Sequence, residues 1–363
     1  MTDAAQTAAL LDWYRRHARR LPWRDDPTPY HILLSELLCQ QTRIATALPY
    51  YERFTTTWPT LGDLAAADED DVLKAWAGLG YYRRARALHG AARAAVSMGG
   101  LPGTVEELRA LPGIGPYTAG AIASIAFGVP APAVDGNVER VVSRLDRSPR
   151  QPWTAAGKRA LHARVARLHA ALGPDDHPGD LTQALMELGA TVCSVTQPSC
   201  PACPLAPACA ARAQGDSEAW PKKRARTPPK RIRAAAGLVS WRGLPLLARR
   251  PATGLLAGLW EPLMVELTAT DDAALTLAAA FRARAGLDAI VGERLGTVTH
   301  VFSHRHLSLE VFRVQCEGTP AVGEHYQAVG WHRPEDVGLS KLARKALALG
   351  EAPPLLLAAE PAE

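Results

Sequence analysis

Four cysteines fall within seventeen residues, at Cys193, Cys200, Cys203 and Cys209, while the rest of the 363-residue chain holds only Cys39 and Cys316. The spacing is Cys-x6-Cys-x2-Cys-x5-Cys. Four thiolates gathered by tight turns can hold a metal centre, and an all-sulfur set suits zinc or an iron–sulfur cluster. Zinc sites usually pair two Cys-x2-Cys knuckles; the single knuckle here favours a cubane cluster. Disulfides would need an oxidising compartment, and neither a signal-peptide pattern nor a small secreted domain supports that. A second constellation is Leu111-Pro112-Gly113-Ile114-Gly115-Pro116, followed by the small residues Thr118 to Ala121. Two glycines between two short helices let backbone amides approach a phosphate at a helix N-terminus, where the dipole helps. Such a contact grips DNA backbone without reading its sequence.

These residues need elements to carry them. From Leu10 to about Ala190 the pattern is helical, and Val138, Val141, Val142 and Leu145 recur at i, i+3, i+4 and i+7. Thr104 to Glu107 forms a capping box that opens the first helix of the hairpin. Tyr30 to Leu48 is expected to be helical throughout. After Ala234 the texture changes to short strand-like runs: 236–240, 244–248, 263–267, 297–302 and 307–315. Helices are expected over 272–285 and 340–349. The fold class is therefore multidomain: an all-α first domain and an α+β second domain. The expected bounds are 1–220 for the helical domain, with the hairpin at about 104–127 and the cysteine loop at 193–209. A basic linker covers 221–233, the α+β domain 234–350, and a tail 351–363.

Net charge is +5, and the linker alone carries seven basic residues and no acidic ones, which leaves the remainder slightly acidic. Such a run is either a solvated spacer or a track for phosphates. No apolar run reaches the length of a membrane span, so the expectation is a soluble, cytoplasmic monomer with no membrane association.

The hairpin, an Asp twenty residues beyond it (Asp135) and the cysteine loop a further 58 on resemble the endonuclease III superfamily of base-excision DNA glycosylases. The resemblance runs over residues 8–212 and implies a [4Fe–4S] cluster on the four cysteines, with Gly113 and Gly115 against DNA. Bifunctional members carry a lysine in the second hairpin helix, whose amine forms a Schiff base. That position aligns with Tyr117, and no lysine lies between Lys74 and Lys158. The resemblance therefore points to a monofunctional enzyme. Within the superfamily, Ser35-Glu36-Leu37-Leu38-Cys39-Gln40-Gln41-Thr42 is similar to the signature of the MutY-type adenine DNA glycosylases. Leu21-Pro22-Trp23-Arg24, Gly78-Leu79-Gly80-Tyr81-Tyr82 and Asp135-Gly136-Asn137-Val138 match the same family.

That resemblance implies adenine excision from duplex DNA in which adenine faces 8-oxoguanine or guanine. It assigns Glu36 as general acid and then base, and Asp135 as the carboxylate that stabilises or captures the oxocarbenium-like sugar. Tyr117 and Asn137 orient the pair. Apolar neighbours of Glu36 could raise its pKa enough for the role. Gln41, Thr42 and Tyr81 are carried over as wedge and contacts around the oxidised base. Arg83, Arg84 and Arg86 are placed on the DNA face, and Arg24 near the adenine pocket. Residues 234–350 resemble the Nudix-like domain of this family, and Phe302, Ser303 and His304 match its Phe-Ser-His loop, which contacts oxidised guanine. The Nudix magnesium box is missing: from Gly254 its first Glu position falls on Trp260, and no Arg-Glu…Glu-Glu run follows. A thymine or uracil mismatch glycosylase is the competing enzyme, and a catalytically silent damage sensor the competing class.

Overall fold

A computed structural model describes residues 1–224, 228–302 and 304–351. The chain divides into two compact units, residues 1–67 with 84–225, and residues 68–83 with 226–363. The first unit is all-helical among its described residues. Helices Asp3–His17, Gly136–Leu145, Ala155–Ala170 and Pro178–Thr191 surround one core, built from Leu10, Leu11, Val138, Val142, Val165, Leu185 and Leu188 among others. Cys193, Cys203 and Cys209 pack against that same core, so the cysteine loop is an extension of the helical body.

The hairpin forms as its sequence dictates. Thr104 accepts from the Glu107 amide at 3.3 Å to start helix Val105–Ala110. Glu107 does not reach back to the cap amide, however; its carboxylate takes the Thr104 hydroxyl at 2.6 Å, so only half of the capping box closes. Helix Pro116–Phe127 follows, with proline at its first turn, where a missing N–H costs nothing. Its face of Gly120 is pressed against the chain: a Cβ there would lie 2.3 Å from the Pro132 carbonyl oxygen.

The expected helix Tyr30–Leu48 is instead two, Pro29–Cys39 and Ile44–Thr57, broken at 40–43 with Gln41 at φ +54°. The cause is Arg84. Its guanidinium is buried, and Nη1 donates to the carbonyls of Leu37, Leu38 and Gln40 at 2.9, 2.8 and 2.6 Å. Nη2 donates to Thr42 Oγ1 at 3.2 Å. Carbonyls that a further turn would have consumed are thus capped from another helix, and Arg84 is an internal clamp rather than part of a DNA face.

The second unit holds strands β1 (Lys230–Leu238), β2 (Ser240–Trp241), β3 (Leu244–Arg249), β4 (Trp260–Glu261), β5 (Met264–Leu267), β6 (Asp288–Phe302), β7 (Arg305–Glu317) and β8 (Ala328–Trp331). One mixed sheet has the order β5-β1-β7-β6, with β1 parallel to β7 and the outer pairs antiparallel. In the other, β3 pairs with β2, β4 and β8. Strand period two sorts the side chains of β1. Ile232, Ala234 and Ala236 join Leu307, Leu309 and Val311 under helix Lys341–Glu351, whereas Ala235 meets Phe281 of helix Ala273–Ala285 on the opposite face. β1 begins at Lys230, inside the basic stretch, because Ile232 points inward while Lys230, Arg231 and Arg233 stay in water. The described residues contain no helix long and apolar enough to cross a membrane.

Candidate active site

Glu36 lies on helix Pro29–Cys39 between Leu33, Leu34, Leu37 and Leu38, each at most 1% exposed, and is itself half-buried. Burial pushes its carboxyl up to about 7; the Tyr117 hydroxyl opposes the shift, the Asp135 charge adds to it, and Arg24 opposes it. Tyr117, in the first turn of helix Pro116–Phe127, donates to Glu36 Oε2 at 2.5 Å. Burial, then the charges of Glu36 and Asp135, hold the Tyr117 phenol protonated, so it acts as a donor.

Asp135 is the N-cap of helix Gly136–Leu145. Its Oδ1 accepts from the amides of Asn137 and Val138 at 2.9 and 2.7 Å, and its Oδ2 from the Asn137 side chain at 2.9 Å. Burial raises this carboxyl, and those three donors together with Arg140 pull it back. Asn137 is oriented in turn by Arg140, whose Nη2 donates to Asn137 Oδ1 at 2.9 Å and to the Gly189 carbonyl at 2.7 Å. Arg140 Nε donates to the carbonyl of Cys193 at 2.7 Å. One guanidinium therefore joins the Asp135 cap to the first cysteine of the loop. Gly189 permits this packing: a Cβ there would stand 2.5 Å from the Asn137 Cβ.

Arg24 is near enough for its charge to act on Glu36 but is spoken for. It donates from Nη2 to Glu187 at 2.8 Å, from Nε to Gln183 at 3.0 Å and from Nη1 to the Arg19 carbonyl at 2.9 Å. Glu187, only 1% exposed, also takes the Arg19 guanidinium through two bonds of 2.6 and 2.9 Å and the Arg19 amide at 3.2 Å. Burial raises its carboxyl, but the hydrogen bond from Arg19 and the charge of Arg24 outweigh that, so it stays below the usual range and ionised. Gln183 and Glu187 are absent from the sequence reading. Their only signal is a polar pair inside the apolar run Leu181-Thr-Gln-Ala-Leu-Met-Glu-Leu188.

The other expected residues occupy three further places. Gln41 is exposed and Thr42 half-buried at the turn that Arg84 clamps. Gly113, at φ +74°, needs to be glycine twice over, since a Cβ would also sit 2.3 Å from the Ala87 methyl. Gly115 caps helix Pro116–Phe127 and faces open space. Tyr81 is half-exposed at φ +49°, in the other compact unit. There too, Phe302 is half-buried at the end of β6, and His304 is exposed; Ser303 lies outside the described residues.

All four cysteines line one small cavity, together with Arg144 and Arg212. Burial pushes the Cys203 thiol up to about 11, and the charges of the other three cysteines add to the shift. Buried Arg144 donates to Cys193 Sγ at 3.3 Å and to the carbonyls of Ser194 and Val195 at 2.6 and 2.9 Å. Among the described residues no group of three or more His, Cys, Asp or Glu is arranged to hold a single ion. The four cysteines around that cavity form an all-sulfur donor set.

Known proteins agree with this architecture. Residues 34–167 match the HhH-GPD superfamily of base excision DNA repair proteins, and residues 235–349 match the NUDIX domain. A thermostable thymine-DNA glycosylase of known structure superposes with a TM-score of 0.51 at 26% identity, covering 57% of this chain and 95% of its own. The class is thus a helix–hairpin–helix repair glycosylase fold carrying a C-terminal Nudix-like domain. The human adenine DNA glycosylase is 36% identical over 88% of this chain and 69% of its own length, and the Mus musculus enzyme 37% identical over 88% and 73%. The chain belongs to the adenine DNA glycosylase family.

Proposed function

We propose that this protein is a monofunctional glycosylase that hydrolyses the N-glycosidic bond of adenine opposite 8-oxoguanine or guanine in duplex DNA. The observation that carries the reading is the Glu36–Tyr117–Asp135 cluster: a carboxyl that holds its proton near neutrality, beside a second, hydrogen-bonded carboxylate, with a phenol where an amine nucleophile would be. Adenine becomes a good leaving group once a ring nitrogen is protonated, and Glu36 supplies that proton. As the C1′–N bond breaks, the electron pair leaves with the base, and the ionised Asp135 offsets or captures the oxocarbenium charge. Glu36, now a carboxylate, takes a proton from the water that completes hydrolysis. Arg24 is assigned to the side of the flipped purine, with Gln183 and Glu187 holding its guanidinium in place. Gly113 and Gly115 offer amides to phosphate, and Gln41 with Thr42 fill the space the base vacates. Catalysis is assigned to residues 1–220 and partner-base recognition to 234–350 through Phe302, Ser303 and His304, joined by Tyr81 from residues 68–83; residues 221–233 are the linker, the last four of them already running in β1.

Cys193, Cys200, Cys203 and Cys209 would hold a [4Fe–4S] cluster, which when bound supplies a rigid, charged support for the loop. Purified protein should contain about four iron and four sulfide per chain without stoichiometric zinc, as metal analysis and visible absorbance would report. A colourless, zinc-loaded protein of full activity would exclude the cluster.

The testing experiment is adenine release from duplexes containing A·8-oxoguanine, A·G, T·G and U·G, with and without alkali. Release from the first two, with strand breakage only after alkali or heat, is expected. Since Tyr117 cannot form a Schiff base, borohydride should trap no appreciable covalent complex. Efficient trapping would overturn the monofunctional reading, and preference for T·G or U·G would overturn the adenine reading.

A further inference from the structure

The loop that presents Tyr81 belongs to the second compact unit, although the segments that flank it in sequence belong to the first. Residues 68–83 group with the second compact unit, and three ties fix them there. Asp70 pairs with Arg249 Nη2 of β3 at 2.5 Å. Leu73, 1% exposed, packs beneath Gly338, where an added Cβ would meet the Leu73 Cβ at 3.4 Å. The Tyr82 hydroxyl donates to the Leu339 carbonyl at 3.3 Å while accepting from the Gly78 amide at 3.1 Å. The Trp76 indole closes the loop by donating to the Gly80 carbonyl at 3.0 Å.

The acceptor end is rigid. Leu339 is 1% exposed, bridges Trp260, and shares a core cluster with Leu247, Val337 and Ala343. Three residues on, Leu342 enters the neighbouring cluster with Ile232, Leu307 and Leu309, the cluster against which Phe302 packs. The segment Leu339–Leu342 therefore touches the supports of both Tyr81 and Phe302.

We infer that Tyr82 is a positioning residue for partner-base recognition, tying the Tyr81 loop to the segment that also supports Phe302, so that the two contacts are set as one body. This rests on the reading that Tyr81 and Phe302 face the guanine partner. It gives the half-exposed Asp70–Arg249 pair a role in specificity beyond any contribution to stability. Adenine chemistry belongs to other residues and should be insensitive to either tie.

Tyr82→Phe removes one hydroxyl and keeps the ring. Single-turnover rates and dissociation constants on A·8-oxoguanine and A·G duplexes should show the preference for the oxidised partner reduced about fivefold, the effect of one lost hydrogen bond. The rate on saturating A·G should stay unchanged. Asp70→Arg and Arg249→Asp should each reduce the preference, and the double reversal should restore it. Hydrogen exchange over residues 78–82, measured on the free protein, should quicken in Tyr82→Phe. Unchanged exchange would overturn the anchoring. Faster exchange with full preference retained, parallel loss on both duplexes, or no restoration by the double reversal would overturn the role in specificity. The wider functional reading fails separately, if the unaltered chain shows no preference for 8-oxoguanine at all; the exchange measurement decides the anchoring even then.

Discussion

Glu36→Gln should reduce single-turnover adenine release by at least the ~10²–10⁴-fold that a general acid contributes, while duplex binding persists. Glutamine keeps the shape of the side chain and still accepts from Tyr117, but its amide has no proton to give. The pH profile adds a second signature. Because burial pushes the Glu36 carboxyl up to about 7, the acid form is abundant below that pH and falls away above it. The unaltered protein should lose rate as pH rises through 7, and the residual rate of the variant should lack that limb. Stability of the unaltered protein should fall over the same pH range. A carboxyl whose folded pKa lies above its unfolded value favours folding only while protonated, so its contribution is full below about 4.5 and is lost as pH rises through 7. Glu36→Gln removes the buried charge, and its thermal midpoint relative to the unaltered protein should improve between pH 5 and pH 8. A rate within a few-fold of normal, with the basic limb intact, would assign the proton to another group.

Asp135→Asn should be nearly as damaging, by about the 10²–10³-fold associated with losing one electrostatic stabiliser of a transition state. A neutral amide cannot offset an oxocarbenium charge, whichever way it is turned. The local fold should survive, because asparagine is as good an N-cap as aspartate and can still accept from the amides of Asn137 and Val138. The disturbance is confined to the other oxygen. Oδ2 accepts from the Asn137 side chain, and an amide NH₂ there would face a second NH₂. Asp135→Ala provides the contrast: it should lose the activity and also about 1 kcal/mol of stability with the cap. Thermal unfolding and single-turnover kinetics on the two variants separate the roles, and equal destabilisation in both would refute the division.

Much of this was legible in the sequence because the signals are local. The Asp135 cap, the glycines of the hairpin and the cysteine spacing each need only a few adjacent residues to declare themselves. What was not legible depends on partners far along the chain. The helix through Glu36 reads as continuous to Leu48, and it stops at Cys39 because Arg84, more than forty residues away, occupies its last carbonyls. The same contact turns an arginine that composition places on the DNA side into the interior. Gln183 and Glu187 go unnoticed for a related reason: their use depends on Arg19 and Arg24 from the opposite end of the domain. β8 is four residues with a glycine in the middle, too short to show an alternating pattern, and it exists because β3 offers it an edge.

The close approach at Gly189 has a bearing on how inherited or engineered changes in this chain would be classified. The residue touches no base, holds no metal and titrates nothing, yet a single methyl group there would be pressed against the side chain that steadies the capping aspartate. A survey that sorts variants by distance from the scissile bond would file it with the scaffold, and one that sorts them by lost activity would file it with the carboxylates. The second sorting describes the molecule better: in this site the tolerance for substitution follows the packing behind the reacting groups.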